Sequence, residues 1–138
     1  MPIATNRGIL PIIRAPFCLG VGGYLGKGDQ WFPWIHIDDV VGIYMKALKD
    51  PSMDGIYNCV APHIVTNKQL IDEFAKNLKR PVVWHIPASL IKMVVGEERS
   101  GILLHGQYVL PQRTLEAGYE YKFPTIDKAM KDLLKIYF

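Results

Sequence analysis

The 138-residue sequence has few cysteines, no long apolar run and no large excess of charge of either sign. Two cysteines, Cys18 and Cys59, cannot form a disulfide framework, and their apolar neighbours favour inert packing in a reducing compartment. No segment approaches the roughly 20 apolar residues that span a bilayer. Pro11, Arg14 and Pro16 interrupt the start, which is therefore unlike a signal peptide. We expect a cytoplasmic protein with no membrane partner.

The charge balance excludes one further class of partner. Sixteen Lys and Arg stand against 13 Asp and Glu, a formal net charge of +3, and the basic residues are scattered along the chain. Nucleic-acid binding usually needs a clustered basic surface, so we expect no nucleic-acid partner. An apolar fraction of 49% and this length are typical of one globular domain, or of part of one.

Short strand-like runs alternate with amphipathic helical patterns along the chain. Such alternation predicts an α/β protein with parallel strand pairing, and the few visible strands indicate part of a larger doubly wound fold. The sequence predicts helices after Asp38 or Asp39, after a Thr66 capping box, over residues 87–96 and 111–117, and after Thr125. It predicts strands over residues 56–60 and 82–86, and a strand or extended segment over residues 119–123.

The stretch GGYLGKGDQWFPWIHIDDV, residues 22–40, carries most of the candidate chemistry. Gly22, Gly26 and Gly28 have a spacing found in dinucleotide-binding turns, where a helix must follow the glycines directly. Here a strand-like aromatic segment follows, and the helix begins more than ten residues later. The pattern therefore favours a turn over a cofactor loop.

His36, Asp38 and Asp39 raise the alternative of a metal or acid–base site. A metal site needs three or four ligands, and His63 and the other histidines stand alone. We therefore predict no metal ligand. An aspartate capping the helix and a locally hydrogen-bonded His36 are the favoured interpretation, and a substrate-side role for His36 is the alternative.

Other residues leave two further alternatives open. Trp31, Phe32 and Trp34 could stack on a flat ligand, although aromatic residues at this spacing favour the core. Arg113 could hold a phosphate or carboxylate, although a solvated surface arginine is the favoured interpretation. The pattern Tyr-x-x-x-Lys, a proton-transfer pair on one helix face, occurs nowhere in this sequence.

Three stretches occur in the order WFPWIHIDDVVGIYMKAL, GIYNCVAPHIVTNKQLIDEFAKNL and LPQRTLEAGYEYKFPTIDKAMKDLL. In this order they resemble the C-terminal half of extended short-chain dehydrogenase/reductases. They are most similar to epimerase-family proteins, related to sugar nucleotide epimerases, that end in a C-terminal domain of unknown function. The resemblance runs from about Pro16 to Leu134, and residues 1–15 are only loosely similar.

The resemblance implies the C-terminal part of a Rossmann-like doubly wound fold together with a small substrate-side lobe. Residues 1–60 would end the Rossmann-like core with a loop, strand, helix and strand, and residues 61–138 would form the lobe. The glycine-rich loop would lie at the mouth of the cleft. The residues predicted to be nearest substrate or cofactor are therefore Gly26, Gly28, Gln30 and His36, with Arg113 as a further candidate.

The resemblance also implies a function for the whole family member. In that family the N-terminal half carries the dinucleotide loop and the Tyr-x-x-x-Lys pair, and this sequence contains neither. We expect the substrate-side portion of an NAD(P)-dependent oxidoreductase or epimerase acting on a small molecule. NADP or NAD is expected for the full-length member, and this chain alone should bind neither and be inactive. The alternative is a non-catalytic interaction module that self-associates through the surface facing the missing half.

Overall fold

The computed structural model describes residues 2–4, 7–8, 10–87, 89, 92–93, 96, 101 and 104–135. Within these ranges the strands are β1 (Pro2–Ala4), β2 (Arg7–Gly8), β3 (Gly23–Leu25), β4 (Trp31–Phe32), β5 (Ile35–His36), β6 (Val65–Thr66) and β7 (Trp84–Ile86). The helices are α1 (Leu10–Cys18), α2 (Ile37–Lys49), α3 (Asn67–Leu78), α4 (Gln112–Glu116) and α5 (Ile126–Leu134).

The short strands form three small sheets, with strand orders β2-β1-β5, β3-β7 and β4-β6. Strand β1 runs parallel to β5, with Ile3 opposite His36, and β3 runs parallel to β7, with Tyr24 opposite His85. The other two pairs are antiparallel. Helices separate the partners of each parallel pair in sequence, so the α/β prediction is confirmed.

One apolar core joins the two ends of the described chain. Helix α3 packs against α5, and Phe17 of α1 meets Phe74 of α3 edge to face, with ring centroids 5.4 Å apart. The core contains residues from both sides of the predicted boundary at residue 60, so the two-domain division stays a prediction. Its fully buried members include Ile3, Trp34, Val65, Leu70, Phe74, Ala129 and Met130.

Helix α3 begins where the sequence predicts it to begin. The Thr66 hydroxyl accepts from the backbone N–H of Gln69, and the Gln69 side chain accepts from the backbone N–H of Thr66. These reciprocal bonds satisfy two groups that an uncapped helix would leave without partners. At the other end Lys79 closes the helix in the left-handed conformation, with φ of 52°.

Helix α2 has a different N-cap from the one predicted. His36, not an aspartate, is the N-cap, and its Nδ1 accepts from the backbone N–H of Asp38 at 3.1 Å. Strand β5 ends at His36 in extended geometry, so the N-cap lies two residues before Asp38 and three before Asp39. Asp38 and Asp39 therefore lie inside the first turn, where their negative charges interact favourably with the helix dipole. The expected local hydrogen bond of His36 is confirmed.

Residues 56–60 do not form the predicted strand. Side chains from later in the chain bind every second carbonyl of this segment instead. Arg113 donates to the carbonyl of residue 56, Thr114 to that of residue 58, and Tyr121 to that of residue 60. Three of the five backbone acceptors of this segment are thus satisfied without a neighbouring strand.

Residues 119–123 are not a strand either. The backbone N–H groups of Lys122 and Phe123 both donate to the carboxylate of Asp39. Helix α4, in contrast, falls within its predicted range, and Gly118 follows it with φ of 72°. The predicted helix over residues 87–96 lies largely outside the described residues, although Gly96 donates to the Lys92 carbonyl at 3.0 Å.

The aromatic and cysteine predictions hold only in part. Phe32 and Trp34 belong to the core, as favoured, whereas Trp31 is 42% exposed. Cys18 is exposed, so the prediction of inert packing is wrong for it, because α1 ends there with its side chain directed outward. Cys59 is half-buried, and this burial raises the pKa of its thiol.

Candidate functional site

The glycine-rich segment forms a turn between β3 and β4. Gly26 and Gly28 have φ of 59° and 76°, in the left-handed region that favours glycine. The backbone N–H of Gly28 donates to the Leu25 carbonyl, and that of Gly26 donates to the Ile86 carbonyl. Because these two donors are used inside the protein, they are not available to a phosphate in the way that the N–H groups of a cofactor loop are.

The same turn is fixed to the start of α3. The carbonyls of Gly28 and Gln30 accept from the backbone N–H groups of Lys68 and Asn67, and the Gln30 side chain donates to the Leu25 carbonyl. These bonds take up the first N–H groups of α3, which would otherwise attract anions. Gln30 is consequently buried, with 7% of its surface exposed.

A neighbouring segment connects this turn to a groove. Gly106 lies so close to the backbone of Trp31 that a Cβ at this position would overlap it. Two residues further on, Tyr108 packs edge to face on Trp31, with ring centroids 5.1 Å apart. The turn, Trp31 and Tyr108 therefore lie next to one another and form what is called here the strip, in which Trp31 and Tyr108 are exposed while Gly28 and Gln30 are buried.

The groove begins at Tyr108 and has a volume of about 500 Å³. Its walls combine apolar side chains with hydrogen-bonding groups, and one cation lies among them. The lining residues are Ile56, Asn58, Tyr108, Val109, Leu110, Gln112 and Arg113. The Asn58 side chain donates to the Leu110 carbonyl at 3.2 Å and so ties the two walls together.

Arg113 is held in place at the end of the groove. Its Nη1 and Nη2 donate to the carbonyls of Ile56 and Asp54 at 2.8 and 2.7 Å, and its guanidinium lies 4.5 Å from the ring centroid of Tyr57. A guanidinium has five N–H donors, and these two bonds use two of them. Arg113 is thus a fixed cation, and that it holds a phosphate or carboxylate stays a prediction.

The lining of the groove is suited to binding a ligand. Its described lining contains no carboxylate, imidazole, amine or thiol, the groups that serve most often as general bases or nucleophiles. Two amides, a phenol and a guanidinium remain, which together offer mainly donors. Such a lining suits an acceptor-rich ligand, in particular one with a phosphate or carboxylate.

His36 lies apart from this strip. Only 1% of its surface is exposed, and its ring stacks on Phe123 with centroids 3.9 Å apart. Because Nδ1 accepts from Asp38, the proton of the neutral ring is on Nε2, which lies 3.5 Å from Asp132 Oδ2. Burial lowers the pKa of His36, although the carboxylates around it act in the opposite direction. That it lies close to a substrate stays a prediction.

The carboxylate of Asp39 has a role that the sequence did not indicate. Asp39 is fully buried, and its carboxylate accepts from the Tyr119 hydroxyl and from the backbone N–H groups of Lys122 and Phe123, at 2.8–3.0 Å. Burial and the bond to Asp39 raise the pKa of Tyr119. This clamp holds residues 119–123 against α2. In the sequence, the adjacent aspartates beside His36 indicated a helix cap or, as the alternative, a metal or acid–base site.

The predicted site residues therefore separate into two groups. Gly26, Gly28 and Gln30 lie at one end of the strip, and Arg113 lies at the other. His36 lies in the core. Sequence reasoning missed the groove residues Asn58, Tyr108 and Gln112, because no local pattern indicates that residues 56–58 and 108–113 meet. Among the described residues no group of three or more His, Cys, Asp or Glu side chains could hold a metal ion.

Comparison with known proteins connects this architecture to a family. Residues 86–133 match the model of a domain of unknown function, DUF1731. Over 132 residues the chain is 42% identical to the epimerase family protein SDR39U1 of Homo sapiens, covering 96% of this chain and 45% of that protein. The crystal structure of isoform 2 of the human protein with NADPH superimposes with a TM-score of 0.92 at 39% identity, covering 96% of this chain and 45% of that chain. This chain corresponds to the carboxyl-terminal half of an epimerase-family protein.

The match to the epimerase family extends beyond the three sequence stretches that resemble it. It takes in 132 of the 138 residues, so the similarity extends into residues 1–15. The nucleoside-diphosphate sugar epimerase from Corynebacterium glutamicum has the same fold, with a TM-score of 0.72 at 24% identity over 98% of this chain and 25% of that one. The chain spans about 45% of the length of the curated relatives it matches. No helix among the described residues is long and apolar enough to cross a membrane.

Proposed function

We propose that this chain forms the substrate-side wall of an NAD(P)-dependent epimerase or oxidoreductase, in which the Arg113 groove binds an anionic small molecule. The observation that carries the proposal is the anchored guanidinium. Two backbone carbonyls and the Tyr57 ring fix its position, so binding a phosphate or carboxylate costs little further side-chain entropy.

The groups present indicate which part of the reaction the cofactor would carry out and which part this chain would support. NADPH is bound in the crystal structure of the human relative, and the nicotinamide of such a cofactor would supply hydride transfer. In this chain Arg113 would hold the anionic end of the substrate, and Tyr108 would present a flat face to its uncharged part. Gly26 would border the same cleft at the far end of the strip, and the buried Gly28 and Gln30 would hold the turn that carries it. The chain alone would then bind substrate weakly and catalyse nothing.

Chemical-shift mapping tests this proposal. UDP-glucose, an anionic nucleotide sugar, is titrated into the isotopically labelled 138-residue chain, and we expect weak, saturable shifts at residues 56–58 and 108–113. Arg113→Gln should abolish them, whereas Arg113→Lys should weaken them, because lysine keeps the charge and loses the planar fork. Shifts confined to other surfaces would contradict the proposed groove.

NADPH titration provides the complementary measurement. Nicotinamide fluorescence should stay unchanged when the chain is added, because the backbone donors of its glycine turn are already bonded within the protein. Tight, saturable NADPH binding would contradict the assignment of this chain to the substrate side alone.

A second candidate function is a non-catalytic interaction module. Helix α2 favours it, because its solvent-facing side is apolar. The largest exposures are those of Leu48, at 82%, and Tyr44, at 65%. Apolar patches of this kind often mark contact surfaces.

A further inference from the structure

Helix α2 carries apolar side chains on two opposite faces. Toward the core it buries Ile43, which is 3% exposed, together with Asp39. On the opposite side lies a second row, called here the outer face of α2. Its members are Ile37 (37% exposed), Val41 (54%), Tyr44 (65%), Met45 (46%) and Leu48 (82%).

The outer face is a continuous stripe and not a scatter of single residues. At about 100° per residue its five members fall within an arc of about 100° that runs the length of the helix. In soluble proteins a helix that is apolar on both sides is normally covered on both sides. The arrangement indicates a surface that another helix or sheet covers.

Charges beside the stripe restrict what can cover it. Asp38 and Lys49 are eleven residues apart, so they lie on the same flank of the stripe, separated by about 20° around the axis and about 16 Å along it. In an antiparallel pair of identical helices, the acidic end of each would face the basic end of the other on that flank. Asp38 lies 4.0 Å from Lys122, but both side chains are mostly exposed, so this pair contributes little.

From this geometry we infer that two copies of the chain pair through the outer faces of α2, antiparallel about a two-fold axis near Tyr44. Asp38 of each copy faces the partner's Lys49, and the five apolar side chains of each copy pack against those of the other. This inference rests on the second candidate function, and it specifies the partner and the surface. One helix pair buries less than the roughly 1,600 Å² of a standard interface, so we expect a weak, reversible dimer.

Sedimentation velocity across a range of concentrations tests the apolar part of the interface. The wild-type chain should change from monomer to dimer as its concentration rises, and Tyr44→Asp should remain monomeric with an unchanged circular dichroism spectrum. Lys76→Asp, on the exposed side of α3, is the matched control and should dimerise as the wild type does. A wild-type chain that is monomeric at every concentration, or a Tyr44→Asp variant that still dimerises, overturns the inference.

Charge reversal and crosslinking test the orientation. Lys49→Asp should weaken the dimer about tenfold, and adding Asp38→Lys should restore it, a rescue that unspecific apolar association would not show. With Cys18 and Cys59 replaced by serine, Tyr44→Cys should form a disulfide-linked dimer on mild oxidation, whereas Lys76→Cys should not. If the chain dimerises but Tyr44→Cys does not crosslink, the α2 interface is wrong while an interaction module remains.

The remaining occupant to consider is a nucleotide-binding segment such as the one that the longer relatives carry. The amino-terminal part of human SDR39U1, added to the dimer, should leave the Tyr44→Cys crosslink unchanged. Loss of the crosslink in its presence, together with co-sedimentation of the two chains, would assign the outer face to that segment and overturn the inference.

Discussion

Helices α2 and α3 are nearly equal in length, yet they differ in how many of their apolar side chains the chain buries. Helix α3 buries Leu70, Ile71, Phe74 and Ala75 and presents Lys68, Gln69, Asp72 and Lys76 to solvent. Helix α2 buries only Asp39 and Ile43 and presents apolar side chains to solvent. The core-facing side of α3 supplies stability within one chain, whereas the outer face of α2 has the composition of an interface.

The largest expected effect comes from the core side of α3. Phe74→Ala should lower the free energy of unfolding by about 3–5 kcal/mol, because it removes a fully buried ring and leaves a cavity. Leu48→Ala, on the outer face of α2, is the matched control and should change it by less than about 0.5 kcal/mol. Urea denaturation at low protein concentration measures both. Equal losses would remove the distinction between the two helices.

On α2 the comparable buried contact is polar, and it is the clamp formed by Asp39. Asp39→Asn should cost about 1–3 kcal/mol, because an amide cannot accept from Tyr119, Lys122 and Phe123 together and leaves a buried donor unpaired. The neighbouring Asp38→Asn is the control, since that side chain is half exposed. Thermal melting distinguishes them, and an Asp39→Asn variant as stable as the wild type would show that the clamp contributes nothing.

The capping box of α3 should have a smaller effect. Thr66→Ala removes the acceptor for the Gln69 N–H and should cost about 1 kcal/mol. Thr66→Ser keeps the hydroxyl and should retain most of the stability. Chemical denaturation of the three proteins decides the matter, and an alanine variant indistinguishable from the serine variant would contradict this role.

The smallest expected effect is a pH dependence at the cap of α2. Burial lowers the pKa of His36, so the unfolded chain binds its proton more readily than the folded one. Stability should therefore be complete above about pH 6.5 and fall as the pH drops below that value. Asp38, Asp39 and Asp132 raise this pKa while Lys122 lowers it, so the change is modest.

Melting temperatures at pH 7.5 and 5.5 measure this dependence. His36→Asn should lose less than the wild type between the two values, because asparagine can still cap the helix and does not titrate. An equal loss in both proteins would place the titrating group elsewhere.

The contrast between these helices also shows what sequence alone can predict. The Thr66 box and the regular apolar spacing of α3 are local patterns, and both were predicted correctly. The cap of α2 and the inward direction of Asp39 depend on residues 119–123, which lie about 80 positions away in the sequence. Strands of two or three residues carry too little periodicity to be located before their partners are known.

In the candidate site, too, local patterns are predictable from the sequence and contacts between distant residues are not. The turn at Gly26 and Gly28 is predictable because glycine favours left-handed geometry there. Arg113 was recognised as a residue type, but its anchoring carbonyls are 57 and 59 positions distant in the sequence. Tyr108 has no local signal, since only the fold brings it to Trp31.

The side chains that bind the carbonyls of residues 56, 58 and 60 have a further consequence for solubility. Exposed carbonyls of an unpaired strand edge invite another chain to add a strand, which is how edge-to-edge aggregation begins. Arg113, Thr114 and Tyr121 already occupy every second acceptor of this segment. These carbonyls are therefore not available to an added strand, although the sequence of this segment is typical of a strand.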